Sequence, residues 1–249
     1  MWEPIVNLHL GLKIAVQYLI YGKHSSIECL KNGSRKILQV LCENKFYLSH
    51  SSLIEKFSFT VVSNAYLDNI VKGANHQGII IKVVENDILM PQSLDRCNKV
   101  AILDGITDPH NLGAIIRSAV AFGFDAVVTG KTNSAGENSA VARVASGALE
   151  HINLLKVTNI SRTMSNLKDL GFWIIGLDCH ASESIEHPLM SSSKIAIVLG
   201  SEGEGLRPLI RKGCDVLVNI PMSKRAISSI NVSNAASIAF YIASKHPSE

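Results

Sequence analysis

The sequence predicts an α/β chain: a mainly parallel sheet with helices between its strands, preceded by a smaller α/β unit. Three observations carry this expectation. Short continuous apolar runs recur at residues 100–103, 126–129, 172–177, 195–199 and 216–220, as strands buried on both faces require. Helical patterns at 112–122, 141–149, 160–170 and 206–212 fall between them, and strands alternating with helices indicate a layered α/β fold. Finally, 47% hydrophobic and 18% charged residues over a length of 249 suit a chain with a sizeable core and exclude disorder.

Taken in order, residues 1–20 read as an N-terminal extension. The apolar stretch at 5–21 is broken by His9, Lys13 and Gln17, too short and too polar for a bilayer span. Glu3 stands where a basic leader would begin, and no small-residue cleavage site follows, so no signal peptide is expected. A first helix, or a tail packed on a neighbour, fits best. Residues 21–84 form the small α/β unit. Ile27, Leu30 and the Lys31-Asn32-Gly33 stop predict a helix closed by glycine. Residues 36–42, 59–62 and 78–84 predict strands, and 64–71 a helix. Residues 85–98, of mixed polarity and containing Pro91, make the linker. Residues 99–249 form the main domain, which ends in a helix over 232–244.

Charge and cysteine usage narrow the function classes. The net charge is +3. Residues 1–90 hold nine Lys/Arg against seven Asp/Glu, and the rest fifteen against fourteen, so neither part is a strongly basic nucleic-acid module. RNA binding would need local clustering or a composite surface. Cys29, Cys42, Cys97, Cys179 and Cys214 are scattered and odd in number, without a C-x-x-C pair. They fit a reducing, cytoplasmic setting and supply neither a zinc site nor a disulfide framework.

Three polar segments at the ends of apolar runs carry the chemistry. In the first, Asp108-Pro109-His110-Asn111-Leu112-Gly113 leads to Arg117. Leu112, Ile115, Ile116, Ala119 and Val120 make one apolar helix face, which leaves Arg117 near the helix edge and Asn111 where a cap belongs. Alone, Arg117 is an ordinary surface charge. At the carboxyl end of a strand it stands where open α/β sheets gather ligands. The second segment, Gly200-Ser201-Glu202-Gly203-Glu204-Gly205, leaves a buried run on glycines that let a ligand approach the backbone. Its spacing is not G-x-G-x-x-G, it falls late in the chain, and its two glutamates would oppose a pyrophosphate. A nicotinamide-dependent oxidoreductase is therefore disfavoured, and no Walker-type lysine motif supports a triphosphatase. Either glutamate could instead face a helix N-terminus. The third segment is Ile220-Pro221-Met222 followed by Ser229-Ile230-Asn231-Val232-Ser233, with Ser229 and Asn231 just before the last helix.

D-P-H-N-L-G-A-I-I-R, G-S-E-G-E-G-L, and I-P-M with S-I-N-V-S together resemble the three signature motifs of the SpoU/TrmH group of SPOUT RNA 2′-O-methyltransferases. The resemblance covers about 99–246. Tyr21-Gly22-Lys23-His24 and His76-Gln77-Gly78 are similar to the small RNA-binding domain of members that act on guanosine in large-subunit rRNA, and Leu103–Asn111 strengthens that match. The resemblance implies a C-terminal trefoil knot, which composition could not show because knots are excluded by default. It also implies a homodimer with no membrane or metal requirement, and S-adenosylmethionine held near Leu177, Gly200, Ile220, Met222 and Ile230. It makes Asn111, Arg117, Glu202, Ser229 and Asn231 the reactive set, with the arginine site completed across the dimer. This chain departs from the pattern at Ile230, at Asn234, and in one extra residue between Met222 and Ser229 around Lys224-Arg225.

In the implied reaction a methyl group moves from a sulfonium to a ribose 2′-oxygen, so in-line positioning contributes much of the rate. A guanidinium is a poor proton acceptor at neutral pH. Arg117 is therefore read as orienting RNA phosphate and stabilising charge on the 2′-oxygen. Glu202 either accepts the proton, directly or through water, or anchors its loop. Lys23, His24, Arg35 and Lys72 are candidate phosphate contacts. His76 is either an RNA contact or a structural histidine at a strand start. A tRNA substrate and a non-catalytic assembly factor are the competing functions.

Overall fold

Backbone pairing builds two sheets. The computed structural model describes residues 16–85, 91–223 and 229–245. Strands β1 (Gln17–Tyr21), β2 (Ile37–Cys42), β3 (Phe59–Val61) and β4 (Ile79–Val84) form the smaller sheet, in the order β1-β4-β2-β3. β4 runs antiparallel to both neighbours and β3 parallel to β2. Helices α1 (Lys23–Asn32), α2 (Asn44–Ile54) and α3 (Asn64–Ile70) connect these strands. Gly33 ends α1 at φ +65°, the left-handed conformation that a glycine stop supplies.

Two sequence expectations change here. Gln17–Tyr21 belongs to the small sheet rather than to an N-terminal extension or first helix, because it pairs along the whole of β4. The linker holds a 3₁₀ turn at Pro91–Arg96. Residues 1–15, 86–90, 224–228 and 246–249 lie outside the described residues, and with them the Lys224-Arg225 insertion.

The larger sheet comprises β5 (Lys99–Asp104), β6 (Ala126–Gly130), β7 (Asn153–Val157), β8 (Trp173–Leu177), β9 (Glu183–Ser184), β10 (Ile195–Gly200) and β11 (Val216–Asn219). Its order is β7-β6-β5-β10-β8-β11-β9 and every pair is parallel. Helices α4 (Pro109–Ala121), α5 (Ser139–Ala145), α6 (Ile160–Asp169), α7 (Pro208–Gly213) and α8 (Val232–Ser244) cover it. Alternation along the strands divides the core. Ala101, Leu103, Val127, Ile175, Ile197 and Leu199 pack with residues of α4, α5 and α8, whereas Val100, Ile102, Val128, Ile174, Ala196 and Val198 pack with α6 and α7. The first of these cores continues without a break into the small domain, through Tyr18, Ile20, Cys29 and Ile81. No helix among the described residues is long and apolar enough to cross a membrane.

The chain winds outward from β5 to β6 and β7, then returns so that β10 inserts beside β5 with Gly200 level with Asp104. This is the switch point at which an open parallel sheet leaves a crevice beyond its carboxyl ends. α4 closes one side of it and is seated tightly on α5. A Cβ at Gly113 would stand 2.7 Å from Cβ of Val144 and 2.9 Å from the Val141 carbonyl oxygen. Gly113→Ala is therefore expected to lower stability by about 1–3 kcal/mol through overpacking, measured by urea denaturation.

Candidate active site

Each strand end delivers one polar segment to the crevice. After β5, Asp108 caps α4 by accepting from the His110 N–H at 3.0 Å, and Pro109 occupies the first turn. The cap is thus Asp108, not Asn111. Asn111 lies inside the first turn and is buried, which leaves its side chain available for contacts outside its own helix. After β10, Ser201 and Gly205 exchange backbone hydrogen bonds of 3.2 and 3.0 Å, folding the loop back on itself. A Cβ at Gly200 would sit 2.1 Å from the carbonyl carbon of Gly205. The backbone of Gly205 makes that close approach. Gly203 and Gly205 have φ of +92° and +68°, which the loop needs in order to reverse.

The third segment starts α8 with Asn231 as its cap, accepting from the Ser233 N–H at 2.9 Å. Here the three segments meet. Oε1 of Glu202 accepts from Asn111 Nδ2 at 3.2 Å, from Asn231 Nδ2 at 2.5 Å and, more distantly, from the Val232 N–H at 3.4 Å. Asn231 Nδ2 also donates to Asn111 Oδ1 at 3.0 Å, closing a triangle of side chains. Glu202 faces the N-terminus of α8, where a carboxylate is electrostatically favoured. Glu204 is exposed in the loop.

Arg117 stands exposed on α4, with no carboxylate in ion-pair range among the described residues. The next residue, Ser118, meets Ser237 of α8 at 2.7 Å. Ser229, two residues before Asn231, is exposed. Leu177, Gly200 and Ile220 lie at or just beyond the ends of the adjacent strands β8, β10 and β11, and all are half-buried. Ile230 is half-buried and Met222 is 38% exposed.

Sequence reasoning missed Asp104 and Arg207. Asp104 ends β5 fully buried and accepts from Arg207 Nε at 2.7 Å and from its backbone N–H at 3.0 Å, tying the chain after the glycine loop to the central strand. That hydrogen bond pushes the Arg207 guanidinium pKa up. The available signal was an aspartate closing an otherwise apolar strand, since a buried carboxylate requires a partner.

The candidate RNA contacts separate. Lys23, His24 and Lys72 are exposed. The turn after α3 is tied to the start of α1, because Lys23 N–H donates to Gln77 Oε1 at 2.7 Å and Gly22 N–H to the His76 carbonyl at 3.2 Å. His76 is buried and structural. Its Nδ1 accepts from the Gly78 N–H at 3.0 Å, which leaves Nε2 to donate to Asp68 at 3.1 Å. Arg35 is not a phosphate contact either, because its side chain is fully buried between Glu137 and Glu150.

A parallel α/β sheet with a carboxylate–amide closure at its switch point, joined to a small α/β domain, defines a two-domain protein with a ligand crevice beyond its strand ends. The comparisons place it more narrowly. Residues 98–241 match the SpoU rRNA Methylase family, and residues 19–88 match the RNA 2'-O ribose methyltransferase substrate binding family. The chain belongs to the SpoU rRNA methylase family. It is 39% identical over 236 residues to the 23S rRNA (guanosine-2'-O-)-methyltransferase RlmB of Escherichia coli K12, covering 90% of this chain and 96% of that protein. It is 44% identical over 181 residues to RlmB of Vibrio vulnificus, covering 70% and 72% respectively. Among solved structures, the SpoU methyltransferase AviRb from Streptomyces viridochromogenes in complex with AdoMet superposes with a TM-score of 0.79 at 19% identity, covering 92% of this chain and 90% of that one.

Because Asn111 and Asn231 share one acceptor, their substitutions should not add. Asn231→Ala is expected to cost about 1 kcal/mol as a lost cap. Adding Asn111→Ala should give a coupling of about 0.5–1 kcal/mol in a double-mutant cycle read by denaturation. Simple additivity would mean that the two amides do not act through Glu202.

Proposed function

We propose that the protein transfers the methyl group of S-adenosylmethionine to a ribose 2′-hydroxyl of a guanosine in large-subunit rRNA, acting in the cytoplasm. The observation that carries this reading is the closure of Asn111, Glu202 and Asn231 beyond β5 and β10. It converts three segments distant in sequence into one preorganised wall. The relatives named 23S rRNA guanosine methyltransferases, matched over 90% of the chain, support rRNA over tRNA.

The residues present fit the cofactor. The ends of β8, β10 and β11 lie side by side and offer half-buried Leu177 and Ile220, backbone at Gly200, and Ile230 returning above them. Those residues, with Met222, would hold S-adenosylmethionine, which supplies an electrophilic methyl group on a sulfonium. The chain's own groups align the hydroxyl. Glu202 does two jobs through two oxygens: Oε1 is saturated by the amides, and Oε2 has no hydrogen-bond partner among the described residues and can take the 2′-proton directly or through water. Arg117, permanently cationic, holds RNA phosphate and offsets charge developing on the 2′-oxygen. Ser229 lies close enough in sequence to Asn231 to contact the incoming ribose.

The same reading makes the return of the chain from β11 to α8 the closing pass of a trefoil knot. It also makes the protein a homodimer through the outer side of α4 and α8. Ile238 and Tyr241 stand 37% and 51% exposed on α8, and Arg117, exposed on α4, would complete a site shared with the second copy.

Methyl transfer to a large-subunit rRNA fragment, with mapping of the ribose methylation lost from a deletion strain, tests the assignment. Methylation of tRNA alone would overturn it. Glu202→Gln should reduce kcat by about 10²-fold or more. Arg117→Lys should also lower kcat. Near-complete turnover by Glu202→Gln would remove its role as proton acceptor and leave it as the loop anchor alone.

A further inference from the structure

The linker is not the only connection between the domains. Arg35, in the turn between α1 and β2, reaches out of its own domain. Its Nε donates to the two carboxylate oxygens of Glu150 at 3.0 and 3.2 Å, and its Nη1 donates to Glu137 at 2.9 Å. Glu137 lies just before α5 and Glu150 in the 3₁₀ turn just after it. One guanidinium therefore grips both ends of α5. All three side chains are buried. Tyr18 of β1 donates its hydroxyl to Glu137 at 3.2 Å and sets its ring 5.7 Å from the guanidinium.

Directional contacts surround this cluster. Leu19 N–H donates to Ser139 Oγ at 3.3 Å, Ser25 Oγ to the Ala142 carbonyl at 3.0 Å, and Asn32 Nδ2 to the Glu150 carbonyl. At Gly147, which has φ +91°, a Cβ would stand 2.8 Å from Cγ of Glu28 and 3.0 Å from its Cβ, so α1 rests directly on backbone. On its other side α5 meets α4 at Gly113 with equal closeness. The small domain and the helix bearing Asn111 and Arg117 are thus neighbours of the same short helix.

Apolar contact would hold the domains together without choosing an orientation, because hydrophobic attraction is non-directional. A buried guanidinium between two carboxylates is different. It loses its hydration and recovers part of that loss only where Nε and Nη1 meet the two carboxylates, while Nη2 is buried without a hydrogen-bond partner among the described residues. We propose that Arg35 is a positioning residue: with Glu137 and Glu150 it docks the small domain on α5 in one orientation, so that captured RNA presents its target ribose at a fixed place relative to Asn111 and Arg117. This rests on the reading of the small domain as the RNA-capturing unit.

The test uses the full chain as wild type, Arg35→Ala, Arg35→Lys and Gly147→Ala. X-ray scattering reads docking, and methyl transfer reads KM for the rRNA fragment and for S-adenosylmethionine separately. Arg35→Ala should enlarge the radius of gyration and raise the RNA KM by about tenfold, because an undocked domain remains tethered but no longer aligned. KM for S-adenosylmethionine should not change. Arg35→Lys, which keeps the charge but not the fork, should fall between Arg35→Ala and wild type. Gly147→Ala, which disturbs the same seat through Glu28 and leaves Arg35, Glu137 and Glu150 in place, should reproduce the RNA-only defect and serves as the comparison if Arg35→Ala does not fold. An enlarged particle with unchanged RNA KM overturns the proposal, as does an unchanged radius in both Arg35→Ala and Gly147→Ala. A wild-type protein inactive on rRNA would instead overturn the functional reading, and the scattering would still report on docking.

Discussion

The parallel pairing of β5 with β10 is the interaction on which the rest of the structure depends. It sets Gly200 beside Asp104 although about ninety-five residues separate them, and parallel neighbours can be joined only by long crossovers. Everything placed in the crevice follows from that register. The Asp104 carboxylate can reach Arg207, fixing where the chain goes after the glycine loop. Glu202 comes within reach of the first turn of α4. A one-residue slip would exchange the residues that β10 sends to the two cores and carry Glu202 away from α4.

Given that register, the loop chemistry is constrained more than its exposed position suggests. The Ser201–Gly205 reversal lies so close to Gly200 that no side chain fits there. The same compactness delivers a carboxylate to the N-terminus of α8, where the Val232 N–H and two amides converge on it. Asn231 has a double use as helix cap and cross-link, so the start of α8 and the crevice wall are stabilised together. Preorganisation of this kind lets a site act without rearranging at the moment of reaction.

The sequence was most legible where a local pattern determined the outcome. The runs that became β5, β6 and β10 are buried along nearly their whole length, and α8 occupies its predicted span. Features set by distant partners were not legible. Arg35 reads as one more surface cation because its acceptors lie 102 and 115 residues away. His76 meets Asp68 only after α3 has turned. α2 carries Phe46 and Ile54 as its only buried residues and shows no clear periodicity. β7 is an edge strand with alternate residues half-exposed, and lacks a continuous apolar run. Asn111 reads as a cap because a cap is a local motif, whereas its actual partners come from two other segments.

The domain interface combines two kinds of force that do different work. The apolar core running from Tyr18 and Ile81 into Leu103 and Ile115 supplies adhesion. Its surfaces alone would tolerate small rotations, because many side-chain packings have similar energy. The Arg35 cluster removes that freedom. Burial raises the Glu150 carboxyl pKa above its ordinary value and Arg35 offsets only part of that, so the carboxylate depends on the guanidinium beside it. Rotating the domain would separate them in a medium that cannot hydrate either group. Methyl transfer needs such stiffness at a distance, since misplacing a reacting hydroxyl by about an ångström can cost two orders of magnitude in rate. A rigid mount for the RNA-capturing domain is therefore as much a part of the alignment as the residues in the crevice.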